Sequence, residues 1–381
     1  MLVFVGFLLI ILLVIGHEAG HFFAARKAGV EVEEFGVGFP PRAKVLKVKN
    51  GTEYTLNWLP LGGFVKLKGE SDNDTTPGSF GAARLRDKVK IMVAGVFMNF
   101  LIAYVLFTII ALIGMPQLVE NQFTVASDTK ITRQEVLAGY VEPDSPADRS
   151  GLKLNDTIKK IEEKSVCTGC SGEARRFDLN QAAQLGEATK SLAGKEVTIT
   201  IDRKGAEQIL STTLLSEETV SASKNSDTPK GYLGVVPNEF IAQKSTWSAP
   251  VVGAGVTVQF TELTFKGLWS IVSGLFQGDT TQATEQVSGV VGVGYIFSSA
   301  SFLGPVFMLM IVAVISLSLA IMNILPIPAL DGGRLFVTLF YRLIKKPLNE
   351  KTEERIHGTG FAVLMILFVL ITILDVKRFI L

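Results

Sequence analysis

Two histidines and a glutamate form the cluster whose residue types and spacing point most directly to chemistry. His17, Glu18 and His21 follow the pattern His-Glu-x-x-His at the end of a long apolar stretch. Four residues advance an α-helix by about 400°, so His17 and His21 project from one face about 40° apart, and both imidazoles can reach one Zn²⁺. Glu18 lies on the adjacent face, where its carboxylate can take a proton from a metal-bound water and pass it to a leaving amine. The pattern predicts a hydrolytic zinc site.

Such a site needs a third protein ligand and one open position. The best candidate is Asp331, in the segment Asn-Ile-Leu-Pro-Ile-Pro-Ala-Leu-Asp-Gly-Gly at positions 323–333. Its two prolines break a helix, and broken backbone at membrane depth is tolerated only where it lines protein or a wet cavity. The third histidine of the chain, His357, follows Arg355 closely. We expect His357 to be a solvated loop residue.

The composition is that of a membrane protein. Hydrophobic residues make up 48% of the chain and charged residues 19%, below the roughly 25% typical of soluble domains. The formal net charge of +1 provides no basic field for nucleic acid, which we do not expect as a partner. Four stretches have the length and apolarity of membrane-spanning helices: residues 2–25, 91–115, 302–325 and 356–374. A cleaved signal peptide is the alternative for the first, but no positive charge precedes its apolar run.

The order of the spans tests whether the three proposed ligands can meet. Ionisable groups inside a span are costly in lipid, which favours a metal site over a chance occurrence of the histidine pattern. Spans one and three run in the same direction, so His21 and Asp331, at their C-terminal ends, share one side of the membrane. A fifth span at 247–276 would separate them. We therefore expect this segment, which carries Glu262 and Lys266, to be an interfacial amphipathic helix, with insertion as the alternative.

The distribution of lysine and arginine predicts the orientation. Residues 26–90 contain twelve of these cations and residues 334–355 contain six, whereas seventeen are spread thinly over residues 117–301. Short cytoplasmic loops carry the excess of positive charge, and long loops translocate largely regardless of it. The first and third loops, and with them the active site, are expected on the cytoplasmic side.

The first loop contains a β-hairpin signal. Residues 45–49 and 52–58 flank Asn50-Gly51, the pair that a type I′ turn favours because both positions need positive φ. A further strand is predicted over 65–68. The resulting sheet beside the membrane is either a folded loop or an edge that holds substrate, and the sequence leaves both open.

The long second connection, over 117–301, contains a domain that resembles a PDZ domain. Residues 139–158 read as a strand, a short helix over 146–150 and a turn into the next strand, and further strands are expected over 197–202 and 231–236. PDZ domains bind extended peptides or C-termini by adding a strand to a sheet edge. A steric filter for substrates is the alternative, and both roles are compatible.

Together, His-Glu-x-x-His, the PDZ-like insert and Asn-x-x-Pro-x-Pro-x-Leu-Asp-Gly-Gly resemble the bacterial site-2 proteases, of the regulator of sigma-E protease type. The resemblance implies a Zn²⁺-dependent endopeptidase of the bacterial plasma (inner) membrane. Its substrates would be single-span membrane proteins such as anti-sigma factors, cut in regulated intramembrane proteolysis. It also implies substrate-binding roles for Asn323, Pro326, Gly62, Gly63 and Phe64. Unlike the tandem-PDZ members, this chain has one such domain.

The expected fold is a polytopic α-helical membrane protein with about four transmembrane helices, a membrane-associated β-hairpin or sheet and one inserted PDZ-like α+β domain. In chain order we expect span one (1–27), a cytoplasmic membrane-associated β region (28–90), span two (91–115), an extracytoplasmic PDZ-like domain (116–240), an interfacial amphipathic segment (241–301), span three with the proline motif (302–335), a cytoplasmic loop (336–355) and span four (356–375).

Two other classes of protein were weighed. A PDZ-bearing membrane scaffold with a vestigial metal site would need the ligands but no general base, so Glu18 argues against it. A transporter would typically show internal repeats, and none is visible. Cys167 and Cys170 predict either a disulfide in an oxidising compartment or two free thiols.

Overall fold

The structure, a computed structural model, describes residues 2–70, 74–164, 175–223, 229–278, 289–300 and 303–379. Cys167 and Cys170 lie outside these ranges, so their pairing stays a prediction. The chain divides into two compact units. The first consists of Met1–Met115, Asn121–Asp128 and Ser245–Leu381, and the second of Pro116–Glu120 and Thr129–Lys244, where we expected a domain over 116–240.

The helices and strands of the described residues are numbered here in chain order. The helices are α1 (Leu2–Lys27), α2 (Leu85–Ile113), α3 (Pro146–Ser150), α4 (Ala182–Ser191), α5 (Glu217–Ser223), α6 (Ala249–Gln277), α7 (Val290–Ala300), α8 (Pro305–Ile324), α9 (Asp331–Leu343) and α10 (Glu350–Phe379). The strands are β1 (Val32–Lys49), β2 (Thr52–Leu67), β3 (Met115–Pro116), β4 (Lys130–Val141), β5 (Thr157–Glu163), β6 (Arg176–Asp178), β7 (Glu196–Arg203), β8 (Ala206–Thr213) and β9 (Val235–Lys244).

Four helices in the described part of the chain are long and apolar enough to cross a membrane: Phe4–Lys27 of α1, and all of α2, α8 and α10. This confirms the number of spans expected from the sequence. The bounds differ where polar turns extend a helix, because α2 begins at Leu85 and α10 at Glu350. The third span is the most sharply bounded, since α8 begins at Pro305, a favoured first-turn position, and ends before Pro326.

Small residues let α1 and α2 pack closely. A Cβ atom on Gly20 would lie 2.5 Å from the carbonyl oxygen of Ala94, and one on Gly16 would lie 2.6 Å from Ile102. Close approach of this kind is the main source of attraction between helices in lipid, where burial of apolar surface contributes little. On the other side of α2, Ser316 of α8 donates its hydroxyl to the carbonyl oxygen of Asn99 at 2.9 Å.

The predicted hairpin is present and is longer than expected. Asn50 and Gly51 have φ of 54° and 81°, as a type I′ turn requires. The first part of β1 pairs with two separate parts of β2, since Phe35 lies opposite both Tyr54 and Val65. Residues 63–67 therefore form an outer strand of this sheet, with a partner on one side only among the described residues.

The cytoplasmic loop predicted over 336–355 is helical in its first part, because α9 continues to Leu343, and its side of the membrane stays a prediction. Ala329, with φ of 79°, ends the proline segment, and a new helix starts at Asp331, whose charge complements the helix N-terminus. The sequence prediction ended the segment of span three at residue 335 and assigned the residues that follow to a loop.

The second unit is built on an antiparallel sheet with the strand order β3-β9-β4-β5-β7-β8, and β6 pairs with β5. The helix expected over 146–150 is α3, and the strand expected over 197–202 lies within β7. The last strand begins at Val235 instead of residue 231, because Gly234 has a positive φ of 77°. The core contains fully buried residues such as Ile158, Ile161, Ile199 and Ile201.

The segment 247–276 forms one long helix, α6, which is not among the helices apolar enough to span a membrane. Val252, Val256 and Phe260 are buried on one face, and Phe260 stacks on Phe107 of α2. Glu262 and Lys266 form the expected i,i+4 ion pair, at 2.6 Å. The interfacial position of α6 stays a prediction.

The start of α6 is fixed by Asp128. Its carboxylate accepts hydrogen bonds from the side chains and backbone N–H groups of Ser248 and Thr246. The hydrogen bonds from the Ser248 and Thr246 hydroxyls hold the pKa of Asp128 well below its usual range. Asp128 therefore acts as a helix cap supplied from a distant part of the chain.

We expect Asp128→Asn to lower the melting temperature of the protein in detergent, and the difference from wild type to depend on pH. A lowered folded-state pKa stabilises the protein fully above the unfolded value, about 3.9, and less as pH falls through the folded value. The deficit should be largest near pH 7 and shrink below about pH 4. A deficit that is independent of pH would show that the carboxylate charge is not responsible.

Candidate metal centre

The structure brings His17 and His21 of α1 together with Asp331 of α9. Their Nε2, Nε2 and Oδ2 atoms form a nearly equilateral triangle, with 3.1 Å between the two histidines and 3.1 and 3.2 Å from them to Asp331. His17 is buried, with 8% of its surface exposed. These three residues form the only cluster of potential metal ligands in the part of the chain that the structure describes.

The donor atoms fit zinc in distance and in charge. A tetrahedral Zn²⁺ with bonds of 2.0–2.1 Å has ligand atoms about 3.3 Å apart, close to the edges of this triangle. Three protein ligands leave a fourth position open, as hydrolytic sites require. Gly95 of α2 leaves room beside the two ligating nitrogens, since a Cβ atom at Gly95 would collide with Nε2 of His21 and lie 2.7 Å from Nε2 of His17.

The other ring nitrogens are held by α2. Nδ1 of His21 lies 2.8 Å from the carbonyl oxygen of Ile91, so it carries a proton and leaves Nε2 for the metal. Nδ1 of His17 lies 3.2 Å from Nδ2 of Asn99, and Oδ1 of Asn99 is buried with no partner in the described chain. Because a metal-bound Nε2 leaves the proton on Nδ1, metal binding requires the Asn99 amide to turn its oxygen toward His17.

The proline segment before Asp331 is fixed by tight backbone contacts. Cβ atoms on Gly332 or Gly333 would collide with the carbonyl groups of Ile324 and Ile327. Nδ1 of His357 accepts a hydrogen bond from the N–H of Ala329 at 3.2 Å, and Nε2 of His357 is buried. The expectation that His357 is a solvated loop residue is therefore wrong, because α10 folds back against this segment.

Glu18 lies between the metal ligands and the outer strand of the hairpin sheet. It lines a cavity of about 130 Å³ together with His21, Asp331 and Val65. The N–H of Val65 hydrogen-bonds the carboxylate, and a Cβ atom on Gly63 would lie 3.4 Å from Cγ of Glu18. The Glu18 carboxylate, two of the three candidate metal ligands and the strand edge therefore line the same small cavity.

The residues proposed to bind substrate are placed differently from one another. Gly63 lies against Glu18, whereas Gly62 and Phe64 shape the hairpin, with the Phe64 ring against Gly36. Asn323 is half-buried in the last turn of α8 and Pro326 is exposed, and neither lines the cavity around Glu18. Their roles toward substrate stay predictions.

Sequence reasoning missed the contribution of α2. Ile91, Gly95 and Asn99 recur every four residues, so one stripe of α2 faces both histidines. A signal was available, because Asn99 is a polar residue within an apolar span, and such residues default to function. The stripe could not be connected to His17 without knowing which helix packs against α1.

Gly95→Ala should lower zinc content strongly, because the added methyl group occupies space between the two ligating nitrogens. His21→Ala and Asp331→Ala should also lose zinc, each by removing a ligand. Metal analysis of the purified protein measures the stoichiometry, expected to be one zinc per chain for wild type. Gly294→Ala in α7 is the matched control, since nothing lies within 4 Å of that position. Full zinc content in Gly95→Ala or Asp331→Ala would contradict this geometry.

Comparison with known proteins agrees with this chemistry. The family model described as Peptidase family M50 matches residues 5–367. A protein of Clostridium acetobutylicum with the name "Putative zinc metalloprotease CA_C1796" is 30% identical over 96% of this chain and 94% of its own length. The regulator of sigma-W protease RasP of Bacillus subtilis is 26% identical, covering 96% of each chain. The chain therefore belongs to peptidase family M50 and is a zinc metalloprotease of the membrane.

Proposed function

We propose that this protein is an intramembrane endopeptidase that cuts single-span membrane proteins in or near their transmembrane segments. The observation that carries the proposal is that His17, Glu18 and His21 lie on α1, a helix apolar enough to span a membrane, with Asp331 of α9 beside them. The name of RasP, regulator of sigma-W protease, supports a role in regulated proteolysis. We propose release of an anti-sigma factor as the type of reaction. A scaffold with a vestigial site is disfavoured by the intact general base beside the ligands.

His17, His21 and Asp331 would hold the zinc, which when bound polarises the scissile carbonyl and acidifies water. The Glu18 carboxylate takes a proton from the attacking water and delivers it to the leaving amine. The Val65 N–H orients that carboxylate, and the surrounding helices keep bulk water away from it. Proton transfer by a positioned group of this kind typically contributes 10²–10⁴-fold to the rate.

The outer strand at residues 63–67 offers a way to hold an unwound substrate. A peptide bond in a helix is shielded, and each N–H or C=O freed in lipid costs several kcal/mol unless another group replaces its partner. The strand edge runs past Glu18 and lacks a second partner strand among the described residues. We propose that the substrate adds to this edge as a further strand, close to the general base.

The second unit and the orientation complete the proposal. The N-terminus of α4 donates the N–H of Ala182 to Glu239 of β9 at 2.6 Å, so a helix flanks that strand as in PDZ domains. We propose that this PDZ-like unit is extracytoplasmic and binds a peptide or C-terminus. The lysine and arginine distribution supports a plasma-membrane protein with the active site toward the cytoplasm.

Glu18→Gln should retain zinc and fold normally but lose nearly all turnover of a transmembrane peptide, because the amide cannot accept the proton. Purified enzyme in detergent or vesicles, with zinc measured on the same sample, provides the test. Activity within a few-fold of wild type would eliminate Glu18 as the general base.

Proline scanning of residues 65–68 tests the strand edge. Leu67→Pro is the first variant, since the Leu67 N–H donates to the Glu70 side chain at 3.0 Å. The variant should bind zinc but cleave a helical substrate poorly, and should recover on a substrate weakened by helix-breaking residues. Val48→Pro is the control, because Val48 is exposed and lies in the second part of β1, which does not pair with residues 63–67. If every folded variant cleaves both substrates like wild type, the edge has no role.

A further inference from the structure

Arg334 connects four separate segments next to the metal centre. It lies one turn after Asp331 in α9, and its Nη2 donates to the carbonyl oxygen of Glu70 at 2.6 Å. Nη1 lies 3.5 Å from the Glu70 carboxylate, and Nε lies 3.9 Å from that of Glu353 in α10. The guanidinium carbon is 4.9 Å from the ring centre of Phe80. Four such contacts on one side chain indicate a defined position.

This side chain stands where two cavities meet. The smaller, of about 130 Å³, contains Glu18 and His21. The larger, of about 650 Å³, is lined by Glu353 and His357 and reaches the surface at the exposed Glu354, and is called the vestibule here. Both cavities are bounded by the same three residues, Glu70, Asp331 and Arg334.

We propose that Arg334 and Glu70 form a partition between the metal centre and the vestibule. When these two side chains move apart, water and small hydrophilic solutes pass from the vestibule to the zinc. The inference rests on the proposed zinc site. Hydrolysis consumes one water for each bond cut, and the apolar faces of α1, α2 and α8 offer water no path. The vestibule, lined largely by charged side chains, does offer one.

The contacts between Arg334 and Glu70 are of a strength that allows the partition to open. The side chain of Glu70 is 42% exposed and that of Arg334 is 26% exposed, so solvent screens their attraction. The main-chain hydrogen bond from Nη2 is therefore the stronger contact, because it is short and charge-assisted. Glu70 also accepts the Leu67 N–H at 3.0 Å, which links the partition to the end of the substrate-binding edge.

The rate of zinc removal by EDTA tests the partition, because this chelator is hydrophilic and must enter from the vestibule. Zinc-loaded, full-length protein in detergent is mixed with EDTA, and remaining protein-bound zinc is measured with time. Arg334→Gln should lose zinc roughly tenfold faster than wild type, the effect of losing one hydrogen bond to a charged group. Glu70→Gln should have a smaller effect, since it retains the main-chain carbonyl. Arg176→Gln, the same substitution at an exposed arginine of β6 in the second unit, is the matched control and should match wild type.

The outcomes separate this inference from the proposed site. If His21→Ala binds as much zinc as wild type, the proposed zinc site itself is wrong. If His21→Ala loses zinc, and Arg334→Gln releases zinc at the wild-type rate, the partition is wrong while the site stands. Should Arg334→Gln not load zinc, Arg334→Lys decides, since its single ammonium cannot make all the guanidinium contacts and should also speed release. Equal acceleration by Arg176→Gln would indicate general loosening of the protein and would overturn the proposal.

Discussion

Three atoms with lone pairs, Nε2 of His17, Nε2 of His21 and Oδ2 of Asp331, lie 3.1–3.2 Å apart among helices apolar enough to cross a membrane. Without a cation, two imidazole lone pairs and a carboxylate at these distances repel one another, and their burial costs free energy. A divalent ion reverses that balance, because its charge is offset by the carboxylate and by the ligand in the open position. Much of the surrounding structure serves to hold these atoms at that separation.

Helix α2 is the main support. Its residues Ile91, Gly95 and Asn99 supply an acceptor, an empty space and an amide along a single stripe that faces the two histidines. Gly20 lets α1 approach close enough for that stripe to reach them. Replacement of Gly20 or Gly95 by a larger apolar residue, or of Asn99 by an apolar one, would keep the helices apolar but would disrupt this geometry, so apolar content alone says little about α2.

The hairpin sheet adds a second kind of constraint. Its outer strand runs along α1 as far as Val14, so backbone polar groups lie beside a helix of the membrane. Such groups are tolerated because they pair with β1, with Glu18 and with Glu70. The pairing also ties Glu18 to the strand edge and, through Glu70 and Arg334, to the first turn of the helix that carries Asp331. Hydrogen bonds therefore connect the proposed catalytic residues, the strand edge and the Arg334–Glu70 contact.

The sequence by itself determined the number of helices apolar enough to cross a membrane and the hairpin turn at Asn50-Gly51, and it identified His17, Glu18, His21 and Asp331 as candidate site residues, which the structure brings together. These follow from local rules: apolar length, positive φ at a turn, and helical spacing of donors. Only the tertiary structure decided that Asn99 and Gly95 face the histidines, that His357 holds the proline segment, and that Arg334 contacts Glu70. Each of those contacts joins residues at least 28 positions apart or depends on which helices are neighbours. Local spacing carries no information about such pairings, because they are set by how whole elements pack.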